Sequence, residues 1–200
     1  STRLLLGVDR LDYSKGIPQR LRAFERLLEH NPSLRGTVTF TQISAPSRTR
    51  TPEYITEKEE VDQLVGQING RFSEDNWTPI RYLYRSYRRE DLVRFYRDAE
   101  VFLVTPLRDG MNLIAKEIIA SQDEDPGVLV LSKFCGATES LPEALIVNPY
   151  DIDGTAEAIN TALRMPKPER LERWQAMMDT VSRETATSWA ESFLHDLSAL

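Results

Sequence analysis

The sequence is short of the residues that most often announce chemistry on their own. Of its 200 residues only Cys135 is a cysteine, which excludes an intrachain disulfide and a cysteine-built zinc site. His30 and His195 are the two histidines; both sit in helical, partly charged contexts with no second ligand at metal spacing, and both read as surface residues. No run approaches the roughly 20 consecutive apolar residues of a membrane span. The start carries no signal-like apolar segment, so the cytoplasm is the expected compartment. Gly-x-x-x-x-Gly-Lys-Ser/Thr and Gly-x-Gly-x-x-Gly are both missing, and no Ser or Cys has a nearby His to act as its base. Internal repeats and low-complexity tracts are absent as well.

What remains is the composition of a soluble globular chain, with 40% hydrophobic and 28% charged residues. The net charge of −6 argues against broad binding to nucleic acid or anionic lipid. The charge is unevenly spread. Residues 1–50 hold nine Lys/Arg against four acids, a +5 segment on an otherwise acidic protein. A small anionic ligand would need such an edge, and solvated helix faces would give the same count.

Short β-rich runs alternate with longer helical patterns. Strands are predicted over 3–8, 37–43, 80–84, 101–105, 128–132 and 145–147, and helices over 17–30, 54–72, 90–99, 111–122 and 154–165. In the first helix Leu21, Phe24, Leu27 and Leu28 form one stripe, while Arg20, Arg22, Glu25 and Glu29 are expected to face water. The runs at 101–104 and 128–131 are apolar on both faces, as central parallel strands covered by helices must be. The expected fold class is α/β, a Rossmann-like doubly wound parallel sheet over residues 1–165. Beyond Pro166 and Pro168 the pattern is purely helical, over 169–183 and 187–200, and gives a C-terminal helical segment over 166–200.

In such sheets ligands bind beyond the carboxyl ends of the strands, and the loops there are chemically loaded. After the first strand, Arg10 and Lys15 lie five residues apart with Ser14-Lys15-Gly16 just ahead of a helix. Two cations beside free helical amides suit a phosphate. The competing reading pairs Arg10 with Asp12 and leaves Lys15 solvated. After the fourth strand, Asp109-Gly110 turns into a helix expected near Met111. The amides of Gly110, Met111, Asn112 and Leu113 would then point out of its first turn, and Glu117 would look back toward the same crevice. Asp109 as a mere cap, with Glu117 paired to a neighbouring cation, remains open on spacing alone. Asp123-Glu124-Asp125 and Asp151-Ile152-Asp153 have an Asp-x-Asp form but read as helix caps and solvated loops. Trp77, Trp174 and Trp189 read as packing residues, and the run 81–97, rich in arginine, as largely solvated.

Several strings then resemble one family. Residues 8–16 (VDRLDYSKG), 68–72 (INGRF), 77–79 (WTP), 105–113 (TPLRDGMNL), 115–117 (AKE) and 144–149 (ALIVNP) are similar to the C-terminal half of the α,α-trehalose-phosphate synthases, over nearly the whole chain. The resemblance implies the C-terminal lobe of a two-lobed GT-B glycosyltransferase, moving glucose with retention from UDP-glucose to glucose 6-phosphate. It implies Arg10 and Lys15 at the donor diphosphate, Asp109 at the transferred sugar, and Gly110, Met111, Asn112 and Leu113 as amide donors. Glu117 would take the ribose, Ile43 with Tyr87 and Arg88 the base, and Arg48 the acceptor phosphate. Arg10, Lys15 and Asp109 would be the catalytic set. No metal or other cofactor is required in this scheme, since fixed cations meet the charge of the departing diphosphate. The expected partners are the nucleotide-sugar donor, the sugar-phosphate acceptor and the family's N-terminal lobe, with no nucleic acid and no membrane. The first strand starts almost at residue 1, so that lobe is expected to be missing from this chain. Trp189, Phe193 and Leu197 on the last helix, which resembles the segment crossing to that lobe, are expected to be exposed and to favour self-association. The rival readings are a relative with another acceptor, such as a glucosylglycerol-phosphate synthase, a pseudo-glycosyltransferase making a C–N bond, and a non-catalytic nucleotide-sugar-binding module.

Overall fold

The computed structural model describes residues 2–48 and 50–198, apart from the side chains at 186, 189, 192 and 196. Six strands, β1 (Arg3–Arg10), β2 (Val38–Ala45), β3 (Ile80–Leu83), β4 (Val101–Val104), β5 (Val128–Ser132) and β6 (Leu145–Val147), form one sheet in the order β3-β2-β1-β4-β5-β6. Every pairing is parallel. This is the expected Rossmann-like architecture, and the strand order reverses between β1 and β4. The sheet is flanked by α1 (Ile17–His30), α2 (Pro52–Phe72), α3 (Arg89–Asp98), α4 (Leu113–Ser121), α5 (Ala137–Ser140), α6 (Ile152–Arg164), α7 (Lys167–Arg183) and α8 (Ala186–Ser198).

Two apolar layers sandwich the sheet. On one face Leu21, Phe24 and Leu28 of α1, Val61 and Ile68 of α2, and Ile159 of α6 cover Leu5, Phe40, Leu103 and Val130. On the other, Tyr96 of α3, Ile118 and Ile119 of α4 and Met177 of α7 cover Leu6, Phe102, Val104 and Leu129. Both faces of β4 and β5 are buried, which is why their sequences are apolar without alternation. α7 is fastened to this body by Trp174, whose Nε1 donates to the Ile119 carbonyl at 3.0 Å, and by Arg170, which donates to the Pro126 carbonyl at 2.8 Å.

Three expectations need correction. Arg20 does not face water; it is 1% exposed. Ile17, Arg20, Leu21, Phe24, Leu27 and Leu28 follow the i, i+3, i+4, i+7 spacing of a single helical stripe, so position outranked charge. α4 starts at Leu113 rather than Met111, because Asn112 adopts φ 64° and its side chain caps the Ala115 amide. The four-residue α5 is too short to show a period and went unpredicted. Trp77 is buried and His30 exposed, as expected. The Trp189 side chain and residues 199–200 lie outside the described residues.

Candidate functional site

At the carboxyl ends of β1, β2 and β4 lies a cleft of about 400 Å³, at the point where the strand order reverses. Its first wall is the chain leaving β1. Asp9, Arg10 and Lys15 line it. Between them Asp12 organises a single 3-10 turn, its Oδ1 accepting from the Ser14 amide at 2.9 Å and the Ser14 hydroxyl at 2.6 Å. The Tyr54 hydroxyl donates to the other oxygen of Asp12 at 2.9 Å. Burial works to raise the Asp12 pKa, but these donors and the Lys15 charge leave it below the ordinary carboxylate value. The competing Arg10–Asp12 pair therefore does not form. Arg10 is exposed and, among the described residues, makes no salt bridge.

The turn ends at Gly16, which has φ 65° and packs so closely that a Cβ would stand 2.5 Å from the Thr105 carbonyl oxygen. Glycine is demanded there twice, by conformation and by space. The loop after β4 forms the second wall and is joined to the first. The Ser14 carbonyl accepts from the Leu107 amide at 2.8 Å and from the Arg108 amide at 3.3 Å. Lys15 Nζ meets Asp109 Oδ2 at 2.6 Å, both side chains 16% exposed. Asn112 Nδ2 donates to the same Oδ2 at 3.1 Å, and the Met111 amide reaches Oδ1 at 3.4 Å. Burial alone would lift the Asp109 pKa; Lys15 above all, then Asn112 and Met111, overrides it and holds the carboxyl below its usual value.

The predicted residues are not all brought together. Arg10, Lys15, Ile43, Tyr87 and Asn112 share the cleft, with Ile114 from the first turn of α4. Gly110, Met111 and Leu113 line a neighbouring hollow of about 670 Å³ with Lys116 and Glu184. Glu117 is half-buried, on the same face of α4 as Ile114. Arg88 is not among the residues that line the cleft; its guanidinium is paired with Asp91 at 3.3 Å. Arg48 stands on the exposed loop after β2 with φ 39°, its guanidinium 5.8 Å from the Tyr54 ring centre. Sequence reasoning missed Asp9 and Arg85 as cleft residues. Arg85 sits over the Tyr87 ring and donates to its hydroxyl at 2.7 Å, a partnership that the reading of Tyr87 and Arg88 as base-pocket residues did not include. The acidic runs serve structure: Asp151 caps α6 by accepting from the Gly154 amide, and Asp125 pairs with Arg170.

Comparison with known proteins identifies the family and the fold. The trehalose-6-phosphate synthases of Sinorhizobium fredii and Sodalis glossinidius are 52% and 50% identical to this chain over 98% of its length. The chain spans 42% of the length of each. Among solved structures, a UDP-forming α,α-trehalose-phosphate synthase from Burkholderia xenovorans in complex with glucose-6-phosphate superposes with a TM-score of 0.96 at 50% identity, covering 99% of this chain and 44% of that one. An E. coli structure bound with UDP-2-fluoro glucose also gives 0.96, at 44% identity, covering all of this chain and 44% of its own. The defining pattern of glycosyltransferase family 20 runs through residues 1–199, and with the sheet and cleft built as described, the chain belongs to that family.

Proposed function

We propose that this chain is the donor-binding half of a retaining glucosyltransferase that moves glucose from UDP-glucose to glucose 6-phosphate and yields trehalose 6-phosphate. The observation that carries the reading is the contact between Lys15 and Asp109. A cation suited to a phosphate and a carboxylate suited to a sugar hydroxyl meet at 2.6 Å, and the junction of diphosphate and glucose C1 needs both kinds of group side by side. The similarity to trehalose-6-phosphate synthases, two of them holding glucose-6-phosphate or UDP-2-fluoro glucose, supports the trehalose reaction over a different acceptor.

In this reading Arg10 and Lys15 face the diphosphate, with the Ile114 amide at the start of α4 adding a helix-terminal donor. Asp109 accepts from hydroxyls of the transferred glucose, and Gly110, Met111, Asn112 and Leu113 supply amides around it. Glu117 takes the ribose hydroxyls. Ile43 and Tyr87 form the base pocket with the nearby Arg88, and Arg48 takes the acceptor phosphate. As the bond from C1 to the phosphate oxygen breaks, negative charge gathers on UDP, and Arg10 and Lys15 stabilise it without a metal. The acceptor hydroxyl attacks C1 from the same face and passes its proton to the leaving phosphate oxygen, so configuration is retained.

The companion N-terminal lobe would complete the acceptor pocket, with residues 166–200 packing on this domain and reaching toward it. Exposed Leu194 and Leu197 on α8 favour association there or between copies. No helix among the described residues is long and apolar enough to cross a membrane. The test is calorimetric titration of the full-length protein with UDP, GDP and ADP, without metal and then with magnesium, followed by product analysis with several acceptors. UDP should bind without magnesium; absence of UDP binding, or a product other than trehalose 6-phosphate, sinks the reading.

A further inference from the structure

Arg20 is a charged side chain that the proposed reaction leaves without a task, and it is entombed directly beneath the cleft. Its Nη1 donates to Asp9 Oδ2 at 2.5 Å and to Gln42 Oε1 at 2.9 Å, its Nε to the Thr105 hydroxyl at 2.9 Å, and its Nη2 to the Lys15 carbonyl at 3.2 Å. Gln42 Nε2 adds a 3.0 Å bond to the same Asp9 oxygen. One guanidinium thus ties the ends of β1 and β2 and the residue just past β4 to the turn that carries Lys15. Room is kept for it: a Cβ on Gly7 would stand 2.7 Å from Arg20 Nη1.

Stability alone does not explain the arrangement, because a buried ion pair is often matched or bettered by apolar residues of the same volume. Asp9 does explain it. Its residue lines the cleft that would receive a diphosphate, and a carboxylate in a poorly solvated floor repels an anion far more than one in water. Building on the reading above, we infer that Arg20 is a positioning residue for the diphosphate site: it cancels the Asp9 charge, so that the cleft presents a net positive face.

The two roles are separated by charge rescue in the full-length protein, with UDP as the probe and calorimetric affinity as the readout. Arg20→Gln should weaken UDP by about 30-fold or more, since it leaves Asp9 unpaired. Asp9→Asn, which removes the anion and keeps the cation, should bind within about threefold of wild type or more tightly, and Asp9→Asn/Arg20→Gln should recover most of the loss. A purely architectural Arg20 predicts the reverse, with the double variant no better than Arg20→Gln and Asp9→Asn weakened as well; either result overturns the inference. Should Arg20→Gln fail to melt cooperatively, Asp9→Asn and the double variant decide the matter on the same criteria. Wild-type protein that ignores UDP would instead refute the donor-half reading itself.

Discussion

The floor and the rim of the cleft are built on opposite plans. On the floor, Asp9, Arg20, Gln42 and Thr105 are buried, and Arg20 bonds to each of the other three. On the rim, Arg10 is exposed and makes no salt bridge among the described residues. A charge whose partners lie inside the fold holds geometry; a charge left without one is available to a guest. The difference assigns work at the end of a single strand, where Asp9 is buried and Arg10, its neighbour, is exposed.

Five substitutions break or sharpen that contrast. The largest effect belongs to the two cleft cations, Arg10, unpaired among the described residues, and Asp109-paired Lys15: Lys15→Ala or Arg10→Ala in the full-length protein should lower transfer about 100- to 1000-fold, as loss of a charge-stabilising donor does elsewhere. For Arg10→Ala the melting temperature should hardly move; a fall in both would place Arg10 with the floor. Next comes the seam between the walls, where Gly16→Ala must hold φ 65° against the Thr105 carbonyl and should cost about 2 to 3 kcal/mol in urea unfolding. Tyr54→Phe deletes one bond to Asp12 behind the Lys15 turn and should cost about 1 kcal/mol by the same measurement.

The smallest effect reverses sign. Glu57 on α2 is buried, its Oε1 has no partner among the described residues, and burial first, then Glu60 and Asp12, push its pKa up to about 7. Because the folded protein holds that proton more tightly than the unfolded chain, stability drains away as pH rises from the model-peptide value of 4.5 to about 7 and stays low above it. Glu57→Gln should therefore stabilise the protein by about 1 kcal/mol at pH 8 and by little at pH 5, read from urea midpoints at both pH values. Asp109 and Asp12 behave oppositely: their depressed pKa values add stability above the ordinary carboxylate range that is lost on acidification through the folded values.

How much of this was legible in the sequence depended on range. β4 and β5 announced themselves because burial on both faces leaves the runs 101–104 and 128–131 without a polar residue to confuse the pattern. The grouping of Arg10 and Lys15 just ahead of a helix at the end of β1 was visible from sequence spacing. The Lys15–Asp109 pair was not, since 94 residues separate its members and only the closed sheet makes them neighbours. Arg20 was misread for a different reason. Its spacing placed it on the buried stripe, yet a charged residue is assigned to water by default, and only the three polar strand ends around it supply the donor and acceptor match that overturns the default.

The carbonyl of Ser14, which receives two amides from the loop after β4, closes a joint that stands ready before any guest arrives. Neither loop has to be frozen when a ligand enters, so little chain entropy is surrendered on capture and more of each contact survives as affinity.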